Sequence, residues 1–250
     1  MVSASTVGLA TDGLPVSFDA SRLHTLVVGM TGSGKSSTAR LLVARALEQG
    51  ARIVGLDPEN GLLRPFADEP LVANGTAVEG LEHGLRVLEA AVAEIEVRIA
   101  SLPSMSEALT RPTVDCPQWL VVVEELQVLG QRYKAAGKSE YSRFTEAMQG
   151  ILVQGRKALI HCLAITQRPL SDVVPGRSQF GRIIIHRMNQ RKDVSLVWDG
   201  LSEDLQARLS VARPGQAVVI DDQPIPRFCS IDYVTYERFV RRIECLRKVG

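Results

Sequence analysis

The sequence has no long hydrophobic run, no paired cysteines and no overall excess of charge. Its longest apolar stretches, such as Trp119 to Val123 and Ile183 to Ile185, fall far short of the roughly 20 residues that cross a bilayer as a helix. No membrane segment is therefore expected. The opening residues, Met-Val-Ser-Ala-Ser-Thr, carry neither a basic region nor an apolar core, which argues against a secretory signal and for a cytoplasmic location. Cys116, Cys162, Cys229 and Cys245 are scattered without the short spacing of a zinc or redox motif. His24, His83, His161 and His186 are equally isolated, and no metal-ligand role is expected of them. Internal repeats, low-complexity tracts and an obvious linker are also missing.

What remains is the profile of an ordinary globular chain of 250 residues, 45% hydrophobic and 23% charged, long enough to bury a full core. A single domain over residues 1–250 is the expectation. The net charge of +1 neither favours nor excludes a polyanionic partner. Its distribution is uneven: from Gly155 to Lys192 eight basic residues stand against one acid, Asp172, leaving the rest of the chain at −6. That stretch reads either as a solvated basic face or as a surface for phosphates.

The apolar pattern predicts strands alternating with helices. Val7 to Leu9 and Leu14 to Phe18 flank a turn at Asp12-Gly13 and predict a hairpin, an extension of the domain over residues 1–22. Leu23 to Val28 is a strand running into a glycine-rich turn, and Ser36 to Gln49 is a helix closed by Gly50. Arg52 to Leu56 is a second strand, ending at Asp57-Pro58. Leu81, Leu85, Leu88, Val92, Ile95 and Ile99 recur at steps of three and four, one stripe of a long helix from Val78 to Leu102. Ser101 to Gln118 is a loop, followed by strands at Trp119 to Val123, Leu159 to Ile165 and Arg182 to His186. A helix from Ser139 to Ala158 lies between the first two of these. Short helices at Val194 to Trp198 and Ser202 to Leu209, a hairpin at Ala217 to Ile220 and Arg227 to Ile231, and a helix from Tyr233 to Val249 complete the chain. Strands and helices in this alternation predict an α/β fold, a mostly parallel sheet covered on both faces.

Gly29-Met30-Thr31-Gly32-Ser33-Gly34-Lys35-Ser36 matches the P-loop pattern in full and sits between strand and helix, as the chemistry requires. Glycines let successive N–H groups turn toward phosphate oxygens, and the helix directs the positive end of its dipole to the same place. Lys35 is expected to reach the terminal phosphates, and Ser36 to hold magnesium through its hydroxyl. The loop together with Ser37 is the expected ATP-binding segment.

Hydrolysis also needs groups that organise the metal and the attacking water. Trp119-Leu120-Val121-Val122-Val123 runs straight into Glu124-Glu125, adjacent carboxylates at the strand end where open α/β sheets bind ligands. Glu124 is expected at magnesium and Glu125 at the water. Gln167, the polar residue ending the next strand, could bond the terminal phosphate or the water, or could simply cap a turn.

Taken together, the Lys35 loop, the Val121-Val122-Val123-Glu124-Glu125 strand and the segment ending Thr166-Gln167-Arg168-Pro169 resemble the motor domains of the FtsK/SpoIIIE family and their HerA relatives. Gly13-Leu14-Pro15-Val16, Asp57-Pro58 and Arg182 to Arg187 extend the resemblance over nearly the whole chain. It implies a RecA-like P-loop NTPase of the additional-strand, catalytic-glutamate type, with a C-terminal β-hairpin. It also implies a hexameric homo-oligomeric ring that threads double-stranded DNA, with each ATP site between neighbours. Arg156 matches the position of an arginine finger reaching the adjacent subunit's site; the alternative is a helix-end arginine facing solvent. The chain departs from the family at Glu124, where aspartate is usual, and at Glu59, where lysine is often found. Among family members it is most similar to small mobile-element proteins of actinobacteria.

On this resemblance the expected function is ATP-driven DNA translocation in conjugative transfer, segregation or packaging, with a membrane-anchored partner. Arg132, Lys134 and Lys138 after the third strand, and Arg168 and Arg177 after the fourth, are the candidate pore-loop contacts to DNA phosphates. Two alternatives stand beside it. One is a protein-translocating ATPase of the type VII secretion kind. The other is a regulatory P-loop protein that binds nucleotide without turning it over.

Overall fold

A strand apolar on both faces can be stable only under cover on both sides, and five of the inner strands are of this kind. In a computed structural model, residues 5–75, 78–167, 177–188, 190–223 and 225–249 are described, without the side chains of Val78, Glu79, Arg177, Arg191 and Val249. The strands are β1 (Ser5–Ala10), β2 (Pro15–Phe18), β3 (Thr25–Val28), β4 (Arg52–Asp57), β5 (Val72–Asn74), β6 (Trp119–Val123), β7 (Ile160–Thr166), β8 (Arg182–His186), β9 (Gln216–Ile220) and β10 (Arg227–Ile231). The helices are α1 (Lys35–Glu48), α2 (Val78–Ala100), α3 (Leu126–Ala136), α4 (Lys138–Gln154), α5 (Arg191–Val197), α6 (Glu203–Ser210) and α7 (Tyr236–Val249).

All ten strands join one sheet in the order β2-β1-β10-β9-β8-β3-β7-β6-β4-β5. From β8 to β5 the neighbours run parallel; from β8 to β2 they run antiparallel. The sheet is thus mixed in nearly equal halves rather than mostly parallel. The reason is that the N-terminal and C-terminal hairpins pair with each other through β1 and β10.

Side chains alternate across the sheet. Leu26, Val121 and Val123 face one core, shared with α2, α3 and α4, while Val27, Leu120 and Val122 face a second core under α1 and α7. The order β3-β7-β6 sets one strand between the P-loop strand and the carboxylate strand.

Two elements escaped the sequence pattern. β5 is three residues long, too short for a period to show. α3 begins directly after Glu125 and buries Leu126, Leu129, Gly130 and Tyr133, a helical spacing set where a loop was expected. Tyr133 stacks on Phe144 at 4.6 Å, and its hydroxyl donates to the Leu81 carbonyl at 3.0 Å. Glycine at position 84 leaves it room, because a Cβ there would stand 2.5 Å from that hydroxyl and force it to shift. The helix expected through Ala158 ends at Gln154 and continues as a 3-10 turn from Gly155 to Ala158.

Candidate nucleotide site

Parallel strands end on a common edge, and there β3, β7 and β6 each deliver polar groups to one place. The loop from Gly29 to Ser36 joins β3 to α1. Gly32 and Gly34 adopt φ of +77° and +109°, values that side chains oppose. At Gly34 a Cβ would also stand 2.5 Å from the amide nitrogen of Gly215. That Gly215 N–H donates to the Ser33 carbonyl at 3.0 Å, and the Met30 N–H to Arg187 at 2.9 Å. The Ser33 hydroxyl donates to the Met30 carbonyl at 2.7 Å. The loop is therefore closed from behind, by the turn into β9 and the end of β8.

His186 makes the same brace through a side chain. Its Nδ1 lies 3.2 Å from the Gln216 carbonyl and its Nε2 2.9 Å from the Thr38 hydroxyl. A carbonyl only accepts, so Nδ1 carries the hydrogen and Thr38 donates to Nε2. Burial pushes the imidazole down to about 4, and the ring is neutral.

Lys35 is almost fully buried, with its ammonium donating to the Met30 carbonyl at 3.3 Å. Burial lowers its pKa, while Glu125, Glu124 and Glu59 pull the other way. Ser36 is exposed and shares the wall of a cavity of about 350 Å³ with Glu124. A hydroxyl and a carboxylate in one cavity are hard oxygen donors, the set that suits magnesium when phosphates supply the remaining ligands. The Ser37 hydroxyl accepts the Val234 N–H at 2.8 Å, anchoring the segment before α7.

The carboxylates differ sharply in setting. Glu124 accepts the Leu62 N–H at 3.2 Å. Burial, then the neighbouring Asp57 carboxylate, pushes it up to about 8. Asp57, fully buried at the end of β4, accepts from the amides of Glu59 and Leu63 at 3.1 and 2.8 Å and so folds the turn that Leu62 belongs to. Glu125 takes a left-handed conformation, φ 48° and ψ 54°. Such a backbone costs a non-glycine residue about 1 kcal/mol or more and persists where its surroundings hold it. Here it turns the side chain inward, leaving it 7% exposed. Its Oε1 accepts from Gln167 Nε2 at 3.1 Å, and Gln167 Oε1 accepts the Thr31 hydroxyl at 3.0 Å. One chain of hydrogen bonds thus crosses β6, β7 and β3, joining the carboxylate to the tip of the phosphate loop.

Three comparisons bear on this geometry. Residues 6–115 match the family model described as Helicase HerA, central domain. DNA translocase FtsK 1 of Neisseria meningitidis is 27% identical over 209 residues, covering 70% of this chain and 25% of that protein. DNA translocase FtsK of Staphylococcus epidermidis is 29% identical over 193 residues, with 68% and 23% covered. The chain is thus similar to HerA/FtsK-type P-loop ATPases. It spans about a quarter of the length of these curated relatives.

The same fold recurs in the pCW3 conjugation coupling protein TcpA, solved with ATPgS, at a TM-score of 0.79 and 17% identity over 100% of this chain and 71% of that one. It recurs also in the type VII secretion ATPase EccC of Thermomonospora curvata, at a TM-score of 0.69 and 21% identity, with 96% and 30% covered.

Arg156, Arg132, Lys134 and Lys138 lie on elements other than the loop. Arg156 is exposed in the 3-10 turn before β7, at the opposite edge of the sheet and roughly 20 Å from the loop by the length of the strand. Arg132 and Lys134, expected on a pore loop, lie on α3, and Lys138 opens α4. Lys134 and Lys138 are exposed, whereas Arg132 is half-buried. Arg168 lies outside the described residues, as does the side chain of Arg177. Among the described residues no cluster of His, Cys, Asp or Glu could hold a metal unaided, and no helix is long and apolar enough to cross a membrane.

One residue was missed. Arg98, 5% exposed, donates through Nη1 to the carbonyls of Pro117 and Ala158 at 2.9 and 3.0 Å and through Nε to Glu94 at 2.7 Å. It also stacks on Trp119 at 5.4 Å. It therefore fixes the turn that carries Arg156. The available signal was its place on the apolar stripe, three residues after Ile95.

Proposed function

We propose that this chain hydrolyses ATP with magnesium at the Lys35 loop and uses the energy to move double-stranded DNA through a hexameric ring of its own copies. The observation that carries the reading is the hydrogen-bonded chain from Thr31 through Gln167 to Glu125. It ties the group suited to polarise water to the loop suited to hold phosphate. Backbone amides from Gly29 to Ser36 would wrap the phosphates, and the Lys35 ammonium would leave the Met30 carbonyl for them. Ser36 and Glu124 would hold magnesium, which would supply charge for the transferred phosphoryl oxygens. Gln167 would touch the terminal phosphate or the water and pass its state to the segment after β7.

The names of the relatives, DNA translocases and a conjugation coupling protein, support DNA as the moved polymer, in conjugative transfer, segregation or packaging. Residues 1–250 would act as one motor domain in the cytoplasm, with a membrane-anchored partner. Exposed Lys134 and Lys138, with Arg132, Arg168 and Arg177, remain the proposed phosphate contacts. Arg156 suits a role in trans because it stands so far from its own loop. Arg156→Ala should retain ATP binding, lose turnover about a thousandfold and suppress parent subunits in mixed rings. Undiminished turnover would return Arg156 to the solvent.

The deciding experiment is steady-state phosphate release with and without long duplex DNA at low salt, with electron microscopy of the same sample for rings. Stimulation that fades steeply with salt is expected; a rate indifferent to DNA would end this reading. The fold shared with a type VII secretion ATPase and the near-neutral net charge favour one alternative, a motor for protein. Stimulation by a substrate peptide and none by DNA would select it.

A further inference from the structure

Between α1 and α7 lies a cavity of about 590 Å³, and it shares no residue with the cavity that Ser36 and Glu124 line. It follows from the sequence of α7. Phe239, Ile243 and Leu246 recur at steps of four and three, the stripe that such a helix turns toward its neighbour. Phe239 and Ile243 are buried. Leu246 is only half-buried, and with Leu41 and Ala44 of α1 it forms an apolar floor. One end is closed by Val234, whose carbonyl accepts from Arg40 and whose N–H is held by Ser37. Tyr233, 71% exposed, stands beside it.

The rim is cationic. Arg45, Arg238, Arg241 and Arg242 line the cavity with a single acid, Glu48, a net +3 in a chain whose total is +1. Glu48 accepts from Arg45 at 2.8 Å and from Arg242 at 2.7 Å, so one carboxylate serves two guanidiniums. Arg241 pairs with Glu237 in the open solvent, where such a pair is weak. Among the described residues the Arg238 guanidinium has no acid partner.

An apolar floor beneath free guanidiniums selects among occupants. Duplex DNA is held through its phosphates and offers nothing apolar to a floor. A bilayer takes up a helix by its apolar face, and α7 has already turned that face to α1. A second copy suits poorly, since Glu82, Glu89 and Glu94 of α2 are paired with Arg143 and Arg98. An amphipathic helix with acids on its flanks fits: apolar anchors enter a groove in this way, and carboxylates meet guanidiniums in two-bonded forks. From Leu41 to Glu48 the α1 wall runs roughly 10 Å, the length of two helical turns.

We infer that the α1–α7 groove docks an acidic amphipathic helix of a partner protein. Leucine-like side chains enter over Leu41, Ala44 and Leu246, and carboxylates pair with Arg238 and Arg241. The inference is independent of the reading that the Lys35 loop holds a nucleotide, and it gives the chain a place to be recruited that leaves that loop clear.

Fluorescence anisotropy with three labelled peptides of about 15 residues each tests it. The first carries leucines at i, i+3, i+4 and i+7 on a glutamate-rich helix, the second has the same composition with the leucines scattered, and the third replaces the glutamates by lysines. The parent chain should bind the first at least about tenfold more tightly than either control, and less tightly as salt rises. Arg238→Glu combined with Arg241→Glu, at two exposed positions, should lose about tenfold toward the glutamate peptide and gain toward the lysine one, with the urea midpoint unchanged. No binding of the first peptide would overturn the assignment. Equal binding of the scattered peptide would do the same, by reducing the groove to a charged surface. Cosedimentation with phosphatidylglycerol vesicles that the double variant loses, without peptide binding, would give the groove to lipid instead. Loss of self-association in that variant would give it to a second copy, and either result removes the partner helix.

Discussion

The two edges of the parallel sheet differ in how side chains link one strand to the next. At the edge where β3, β6 and β7 end, the links that cross from strand to strand are side chain to side chain, Thr31 to Gln167 and Gln167 to Glu125, beside local backbone bonds such as that of Lys35 to Met30. At the edge where those strands begin, the links between elements run from side chain to backbone. Arg98 grips two carbonyls, and His24 Nδ1 accepts the Cys162 N–H at 2.9 Å. Side-chain pairs can re-form around a ligand at small cost, whereas backbone pairs are as fixed as the sheet. One edge is thus built to rearrange and the other to stay, and the contrast can be broken experimentally from either side.

The largest effect should come from Lys35→Ala, which removes the only cation buried in the loop. Tight ATP binding should be lost, and calorimetry showing unchanged affinity would contradict the assignment. Next, Glu125→Gln should lower kcat by a factor of about 100 to 10,000 while leaving ATP affinity near the parent value. Equal rates of phosphate release would remove Glu125 from catalysis.

The opposite edge should respond in stability and not in ligand affinity. Arg98→Leu abandons two buried carbonyls and should cost about 2–4 kcal/mol, read as a lower urea midpoint with ATP affinity unchanged. A variant as stable as the parent would show that the grip is incidental.

The smallest effect concerns pH. Burial first, then the neighbouring His24, pushes His161 down to about 3, and burial pushes His24 down to about 4. Between pH 6.5 and those values only the unfolded chain takes up these protons, so stability falls as pH falls through that window. His161→Leu should flatten this acid limb by at most about 1.4 kcal/mol per pH unit. An unchanged limb would mean that the ring gains its proton inside the fold.

The contrast also explains what could be foreseen. The phosphate loop, the paired carboxylates and the long apolar stripe of α2 are local patterns, written within a few turns of chain, and the structure carries them at the expected places. Gln167 was visible as a strand-end amide, but its bond to Thr31 depends on β7 lying between β3 and β6, which no local pattern records. The helix α3 was hidden because it starts at the carboxylates without a capping side chain, on a left-handed Glu125. The partner of the Ser37 hydroxyl was hidden for a similar reason: it is Val234, almost two hundred residues away. Arg98 sat in a recognised helix, yet its importance lies in the carbonyls it reaches.

The pairing of β1 with β10 has a consequence of a different kind. Gly8 lies opposite Ile231, and among the described residues β10 is the strand that joins the first hairpin to the rest of the sheet. Closing so long a loop is slow relative to pairing near neighbours. During refolding, the β1–β2 hairpin should therefore wait with an open edge while the parallel strands assemble, and its amides should gain protection from solvent exchange after those of β3. Until then it offers other chains an unpaired template, and crowded refolding should lose material to aggregation through this hairpin first.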